Sequence, residues 1–241
     1  MRGIILSGGA GSRLKPLTKI TSKQLLPVYN KPMIYYPLNT LIKAGIKEIL
    51  IIVAPERAGD YLNLLGSGKQ FGVKFTYEIQ DQPKGLAEAF LIGENFIDDQ
   101  DVAMILGDNI FEDDFSKDLN SFQGGAKVFA KKVSDPHRFG VVKFDDKNKA
   151  EKIIEKPENW ISDYAVTGLY AYDSRVVEIA KSMKPSERGE LEITDINNWY
   201  LHKSELEVAK VNGDWLDAGT FDSLLYAQKL AKDKLVNNMI I

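Results

Sequence analysis

Gly3-Ile4-Ile5-Leu6-Ser7-Gly8-Gly9-Ala10-Gly11-Ser12-Arg13-Leu14 opens the chain with a short apolar run that stops in glycine. Gly3 to Leu6 reads as a buried strand, and Gly8, Gly9 and Gly11 break it. Glycines permit left-handed dihedrals and let backbone N–H groups approach a ligand that any Cβ would keep away. Arg13, and Lys23 in Ser22-Lys23-Gln24-Leu25-Leu26-Pro27, add positive charge beside that loop. The combination suits a nucleoside triphosphate, although a tight strand exit without a ligand has the same local signature. Two familiar phosphate loops are excluded. There is no G-x-x-x-x-G-K-[ST], and Leu14 stands where a dinucleotide fingerprint needs its third glycine.

Working outward, Lys31-Pro32 followed by Met33, Ile34, Leu38, Leu41 and Ile42 predicts a helix ended by Gly45, with Pro37 bending it or delaying its start. Glu48 to Ala54 is a near-continuous apolar run, as a parallel strand buried on both faces requires. A helix over 58–65, a strand over 72–79, a helix over 86–96 and a strand over 102–106 continue the alternation. This order predicts an α/β fold: a doubly wound, mostly parallel, Rossmann-like sheet with ligands at the C-terminal ends of its strands. From about residue 127 the rhythm changes to strands over 127–132, 140–144, 150–154 and 165–172. Helices over 175–183, 191–201 and 221–234 and a strand over 206–211 complete it. No low-complexity linker or repeat interrupts the chain. The expectation is one domain over 1–241, with a nucleotide-binding half to about 125 and a smaller added β region from 126.

The bulk composition narrows the chemistry. The 241 residues are 44% hydrophobic and 27% charged, ordinary for a soluble globular chain able to bury a sizeable core. A net charge of −3 argues against nucleic-acid partners, whereas a small anionic substrate needs only a few focused cations. With no cysteine and two histidines, His137 and His202, thiolate catalysis, disulfides and multi-histidine metal sites are excluded. No run approaches the about 18 apolar residues of a membrane helix, and Met1-Arg2-Gly3 leads directly into a strand. The expected location is cytoplasmic.

Leu106-Gly107-Asp108-Asn109 ends a buried strand in a carboxylate, and Trp215-Leu216-Asp217-Ala218-Gly219-Thr220 repeats the arrangement. Each is also compatible with an ordinary turn, with Thr220 or Asp222 capping the next helix. Two such acids are what Mg²⁺ on a nucleotide needs, the remaining positions being filled by water and phosphate oxygens. Glu155-Lys156-Pro157 closes a strand with a lysine before proline, which predicts an extended residue pointing off the sheet end. Gln80-Asp81-Gln82-Pro83-Lys84-Gly85-Leu86 offers amides and a glycine at a helix entrance, suited to a base edge. Arg188 to Asp195 reads as an acidic helix start with no assigned chemistry.

Together these stretches, with Lys31 to Pro37, Tyr164 to Gly168 and Gly189 to Asp195, resemble the sugar-1-phosphate nucleotidyltransferases nearly end to end. The likeness is greatest to members that act on dTTP and glucose 1-phosphate. The resemblance implies transfer of a thymidylyl group from dTTP to α-D-glucose 1-phosphate, giving dTDP-glucose, a deoxysugar precursor such as dTDP-rhamnose biosynthesis consumes, and pyrophosphate. It implies Mg²⁺ as cofactor, held by the Asp108 and Asp217 positions. Nucleotide contacts are implied at Leu6, Gly8, Gly9, Gly11, Ser12, Arg13, Lys23, Gln24, Gln80, Pro83, Gly85 and Asp108. Sugar-phosphate contacts are implied at Leu106, Asn109, Gly140, Glu155, Lys156 and Val166. Arg13, Lys23 and Lys156 are the implied catalytic cations, and a homo-oligomer, dimer or tetramer, is the implied assembly.

Some positions depart from the family pattern. Phe139 stands where relatives often have tyrosine, Lys84 often corresponds to an acid, and longer relatives continue past Ile241 with a helical stretch. The alternatives are the same chemistry with UTP or another sugar 1-phosphate, or a non-catalytic regulatory subunit. The latter predicts missing acids or cations, yet Arg13, Lys23, Asp108, Lys156 and Asp217 are all present.

Overall fold

The structure, a computed structural model, describes residues 1–9 and 11–241. Ala10, inside the glycine loop, lies outside the described residues. Strand β1 (Arg2–Ser7) leads into that loop, followed by a small hairpin of β2 (Pro27–Val28) and β3 (Lys31–Pro32). Next come α1 (Tyr35–Lys43), β4 (Glu48–Val53), α2 (Ala58–Leu65) and β5 (Lys74–Ile79). Then α3 (Glu88–Ile92) and α4 (Glu94–Ile97) precede β6 (Val102–Leu106). β1 pairs in parallel with β4 on one side and β6 on the other, and β4 pairs with β5. The chain therefore winds outward from β1 to β5 and returns across β1 to β6. The crevice beyond β1 and β6 is the switch point where such sheets bind ligands.

The apolar runs behave as their two-sided burial requires. Ile4 and Leu6 with Leu50 and Ile52 enter one core; Ile5 with Ile49, Ile51 and Val53 enter the other. Alternate side chains of a strand point to opposite faces, so these runs must be covered by helices on both sides.

The second half extends the same sheet. After β7 (Asn109–Phe111) and α5 (Ser116–Asn120) come β8 (Ala126–Lys132), β9 (Gly140–Phe144), β10 (Ala150–Glu155) and β11 (Tyr164–Tyr172). Helices α6 (Val176–Ser182) and α7 (Ile193–His202), strands β12 (Leu206–Lys210) and β13 (Trp215–Asp217), and helix α8 (Phe221–Leu230) follow. β11 runs antiparallel to β6, β8 and β9; β10 adds to β9, and β12 lies parallel to β8. Nine strands thus share one sheet. Among the described residues no helix is long and apolar enough to cross a membrane.

Four expectations are corrected. Lys31-Pro32 is a strand, and α1 starts at Tyr35 with Pro37 in its first turn, where a missing N–H costs no helical bond. The helix expected over 86–96 is two short helices meeting at Gly93. A Cβ there would lie 3.0 Å from Ala89 O and 3.1 Å from Leu50 Cδ2, so a side chain at this close approach to the sheet would force its neighbours to give by a few tenths of an ångström. The last helix ends at Leu230 and continues as a wider turn over Ala231–Leu235. Lys156 is not extended: its φ is +42°, and its N–H donates to Phe139 O at 2.9 Å. That bond hooks the end of β10 onto the entrance of β9 and overrides the preference of a residue before proline. Of the two candidate caps for α8, Thr220 is the one used, in a reciprocal box with Ser223.

Candidate functional site

The glycine loop is shaped by what lies beneath it. A Cβ on Gly8 would fall 2.0 Å from Gln80 Oε1. Gly11 takes the left-handed conformation at φ +60°, and a Cβ there would meet Thr18 Cγ2 at 2.8 Å. Thr18 Oγ1 in turn donates to Gly11 O at 2.8 Å. Beside the loop is a cavity of about 200 Å³ lined by Leu6, Gly9, Lys23, Gln24, Gln80, Pro83, Gly85 and Asp108, all expected nucleotide residues. Gly8, Gly11 and Ser12 build the loop without lining that cavity, and Arg13 faces the larger one next to it. Gln80 is buried and already donates to Glu88 Oε2 at 2.7 Å, so that nitrogen is fixed before any base arrives.

The larger cavity, about 550 Å³, is lined by all six expected sugar-phosphate residues: Leu106, Asn109, Gly140, Glu155, Lys156 and Val166. Their meeting follows from the sheet. Glu155 of β10 is the register partner of Gly140 of β9, and Ala165, beside Val166 on β11, is the partner of Val141. Gly140 is required because a Cβ would lie 2.9 Å from Thr194 Oγ1, which donates to Glu155 Oε2 at 2.6 Å. Lys156 Nζ stands 3.7 Å from Glu155 Oε1.

The two cavities share Leu86, Leu106, Asp108 and Glu190, so Asp108 stands where they join. Asp217 is brought to the same place by the two-stranded sheet of β7 and β13, in which Asp217 pairs with Asn109. The Ala218 N–H also donates to Asp108 O at 3.0 Å. Asn109 is the hub of this junction. Its Oδ1 accepts from Trp215 Nε1 at 2.6 Å and from Gly168 N at 2.9 Å, where the register of β11 shifts. Its Nδ2 donates to Asp108 Oδ1 at 3.1 Å, so the orientation of the amide is fully determined.

The charges are arranged in pairs. Lys23 Nζ donates to Asp108 Oδ2, and Arg13 Nη2 stands 3.8 Å from Asp217 Oδ2. Burial alone would raise the Asp108 carboxyl, but the Lys23 charge and hydrogen bond, with Asn109, hold it below the usual carboxylate range. Lys23 is raised despite its burial because Asp108 stabilises its charge. Asp217 is pushed up to about 6, first by burial and then by Asp108; Lys23, Arg13 and Arg138 offset part of this. Asp217 Oδ1 is buried and has no hydrogen-bond partner among the described residues.

Among the contributors to the larger cavity with no assigned role in the sequence are Arg138, Thr194 and Trp215. Trp215 stood in plain view beside Asp217. Arg138 precedes the Phe139-Gly140 strand start, and Thr194 sits in the acidic run that carried no chemistry. Only spatial placement separates these two from surface polar residues.

Residues 2–234 match the sequence model of the nucleotidyl transferase family. The chain is 53% identical over 230 residues to glucose-1-phosphate thymidylyltransferase of Neisseria meningitidis, an alignment covering 93% of this chain and 80% of that one. It is 51% identical over 237 residues to the protein of the same name from Mycolicibacterium smegmatis, covering 96% and 82%. Among solved structures, a glucose-1-phosphate thymidylyltransferase from Bacillus anthracis in complex with sucrose superposes with a TM-score of 0.92 at 49% identity, covering 97% of this chain and 96% of that one. A UDP-glucose pyrophosphorylase complexed with UDP-glucose superposes with a TM-score of 0.84 at 25% identity, covering 97% and 98%.

Proposed function

The chain belongs to the nucleotidyl transferase family, and on that premise we propose that it transfers a thymidylyl group from dTTP to α-D-glucose 1-phosphate, releasing pyrophosphate. The observation that carries this reading is the junction itself: two cavities, one beside a glycine loop and one at the β9–β10–β11 sheet end, open onto a shared carboxylate, Asp108. A site that joins two phosphate esters needs this shape, because both anions must reach one point. Thymine is favoured over uracil as the base because the thymidylyl relatives are about twice as identical to this chain as the UDP-glucose enzyme is.

In this reading the smaller cavity takes the base, and Gly8, Gly9, Gly11 and Ser12 offer backbone N–H groups to the triphosphate. Lys23 and Arg13 hold its phosphate charge, Lys156 holds the phosphate of the sugar, and Gly140, Glu155 and Val166 line the pocket for the glucose ring. A phosphate oxygen of glucose 1-phosphate attacks the α-phosphorus, the bond from that phosphorus to the bridging oxygen breaks, and pyrophosphate leaves in line. The attacking oxygen is already ionised near neutral pH, so no general base is required. Positioning and charge neutralisation carry the rate.

Asp108 and Asp217 would hold a divalent cation. The orphaned, buried Oδ1 of Asp217 and the mutual repulsion that raises its carboxyl are both relieved by positive charge there. Among the described residues no cluster of three or more acidic or imidazole ligands forms, so the remaining ligands would be phosphate and water, as Mg²⁺ prefers. When bound it would neutralise the α-phosphate and act as a template for in-line attack. The same reading carries one catalytic domain, a cytoplasmic location and a homo-oligomeric assembly.

Pyrophosphate release measured with dTTP and glucose 1-phosphate, with and without Mg²⁺, tests the proposal. Release is expected only when both substrates and the cation are present. Faster release with UTP would overturn the base assignment, and none with either nucleotide would overturn the reading. Lys156→Ala should raise KM for glucose 1-phosphate about 10- to 100-fold, the worth of one charge-assisted hydrogen bond, and change dTTP affinity less than about threefold. Equal losses for the two substrates would contradict its role.

A further inference from the structure

We propose that Lys23 is a resting counter-ion that closes Asp108 until a nucleoside triphosphate arrives, so that the divalent cation and the nucleotide enter as a pair. The inference rests on the metal-assisted reading above and concerns what this chain does before substrate binds.

Both oxygens of the Asp108 carboxylate have donors, Lys23 Nζ on Oδ2 and Asn109 Nδ2 on Oδ1. The Lys23 and Asp108 side chains are only 15% and 9% exposed, so water competes weakly for this pair. A cation approaching the nucleotide-free site must displace an ammonium that is already in place. Asp217 offers its buried Oδ1, but one carboxylate with Arg13 beside it is a poor site alone.

The position of Lys23 explains how the closure is undone. A Cβ on Gly9 would lie 3.8 Å from Lys23 Cε and 3.9 Å from Nζ, so the ammonium rests against the glycine loop as well as on the acid. Its backbone is held in the turn Lys23–Leu25, and its Cβ packs under Gly11. An ammonium has three donors on a flexible stem, and one is spent on Asp108. Phosphate on the loop can therefore draw Nζ over by rotation of the terminal torsions, with no movement of the main chain. Charge balance points the same way. Lys23 and Arg13 offset Asp108 and Asp217, so a dication alone leaves the cluster positive and a triphosphate alone leaves it strongly negative. The dication removes about half of the negative charge that the triphosphate brings.

Mn²⁺ titrated into nucleotide-free protein, followed by loss of the free-ion electron paramagnetic resonance signal, reads the closure directly and needs no turnover. Lys23→Met and Lys23→Gln should each tighten Mn²⁺ binding about tenfold or more, and weaken dTTP binding by a similar factor. Adding Asp108→Asn to Lys23→Gln should abolish the gain. Mn²⁺ affinity unchanged or weakened in both variants, or a gain that survives Asp108→Asn, would overturn the proposal. The wild-type protein supplies an arm independent of how the variants fold. It should bind Mn²⁺ at least about tenfold more weakly without dTTP than with it, after allowance for the metal held by dTTP in solution. Equal affinities would overturn the proposal. Absence of pyrophosphate release by the wild-type enzyme would overturn the transferase reading and leave these titrations interpretable.

Discussion

Asp217→Asn is expected to lower kcat/KM on the order of 10³-fold and, at the same time, to stabilise the metal-free protein at neutral pH. The activity loss follows from removing one of two carboxylates that meet only because β7 pairs with β13. Asparagine keeps the shape and an acceptor oxygen but not the charge, so on the proposed reading a cation would be left with Asp108 alone.

The stability gain follows from the raised carboxyl. An unfolded aspartate loses its proton near about pH 4. The folded Asp217 keeps it to about pH 6, chiefly because of burial and then because of Asp108. The folded state binds the extra proton, so its stability is greatest below the unfolded value and falls as pH rises through the folded one. Between about pH 4 and pH 6 the wild-type protein should lose on the order of 3 kcal/mol relative to Asp217→Asn, at about 1.4 kcal/mol per unit. Thermal unfolding in the presence of a chelator, from pH 4 to 8, measures this. Parallel pH profiles for the two proteins would refute the account, as would an active Asn variant.

The fold was legible where burial is continuous. The runs at 4–6, 49–53 and 102–106 are apolar at successive positions, the pattern of a strand covered on both faces. The ligand end of the sheet was legible for the same reason, since the glycines and Gly107-Asp108 stand directly after two of those runs. The closing of the site was not. β7 and β13 are three residues each, too short for any periodicity, and their pairing joins parts of the chain about a hundred residues apart. Nothing local in Asp217 says that it faces Asp108. Lys156 misled for a related reason: the preference of a residue before proline is real, but one tertiary hydrogen bond to Phe139 O outweighs it. A non-glycine residue at φ +42° costs about 1–2 kcal/mol, and this one lines the larger cavity. Arg138 and Thr194 carry no signature beyond being polar; the sheet end alone gives them a role.

Gly85→Ala should detach the loop carrying Pro83 and Gly85 from the acidic segment and weaken dTTP binding on the order of 30- to 5,000-fold. Gly85 has φ +103°, and a Cβ there would lie 2.3 Å from Leu191 O and 2.5 Å from Leu191 N. These are main-chain atoms, so no side-chain rotation relieves the overlap. They are also bonded in place: Leu191 N–H donates to Lys84 O at 2.7 Å, and Ala87 N–H donates to Leu191 O at 3.2 Å. A methyl group must therefore break this lacing or move both strands of it. The left-handed backbone adds about 1–2 kcal/mol and the overlap about 1–3 kcal/mol, hence the range of affinities. Pro83, Gly85 and Leu86 line the smaller cavity, and Leu86 and Glu190 line both, so the displacement reaches the smaller cavity first and the larger one second. Gly189→Ala is the control, because Gly189 also has a positive φ, +75°, but a Cβ there meets nothing within 4 Å. Calorimetric titration of dTTP into the two variants separates the causes. If only backbone strain matters, both weaken binding alike; if the clamp on Leu191 shapes the smaller cavity, Gly85→Ala loses affinity and Gly189→Ala keeps most of it.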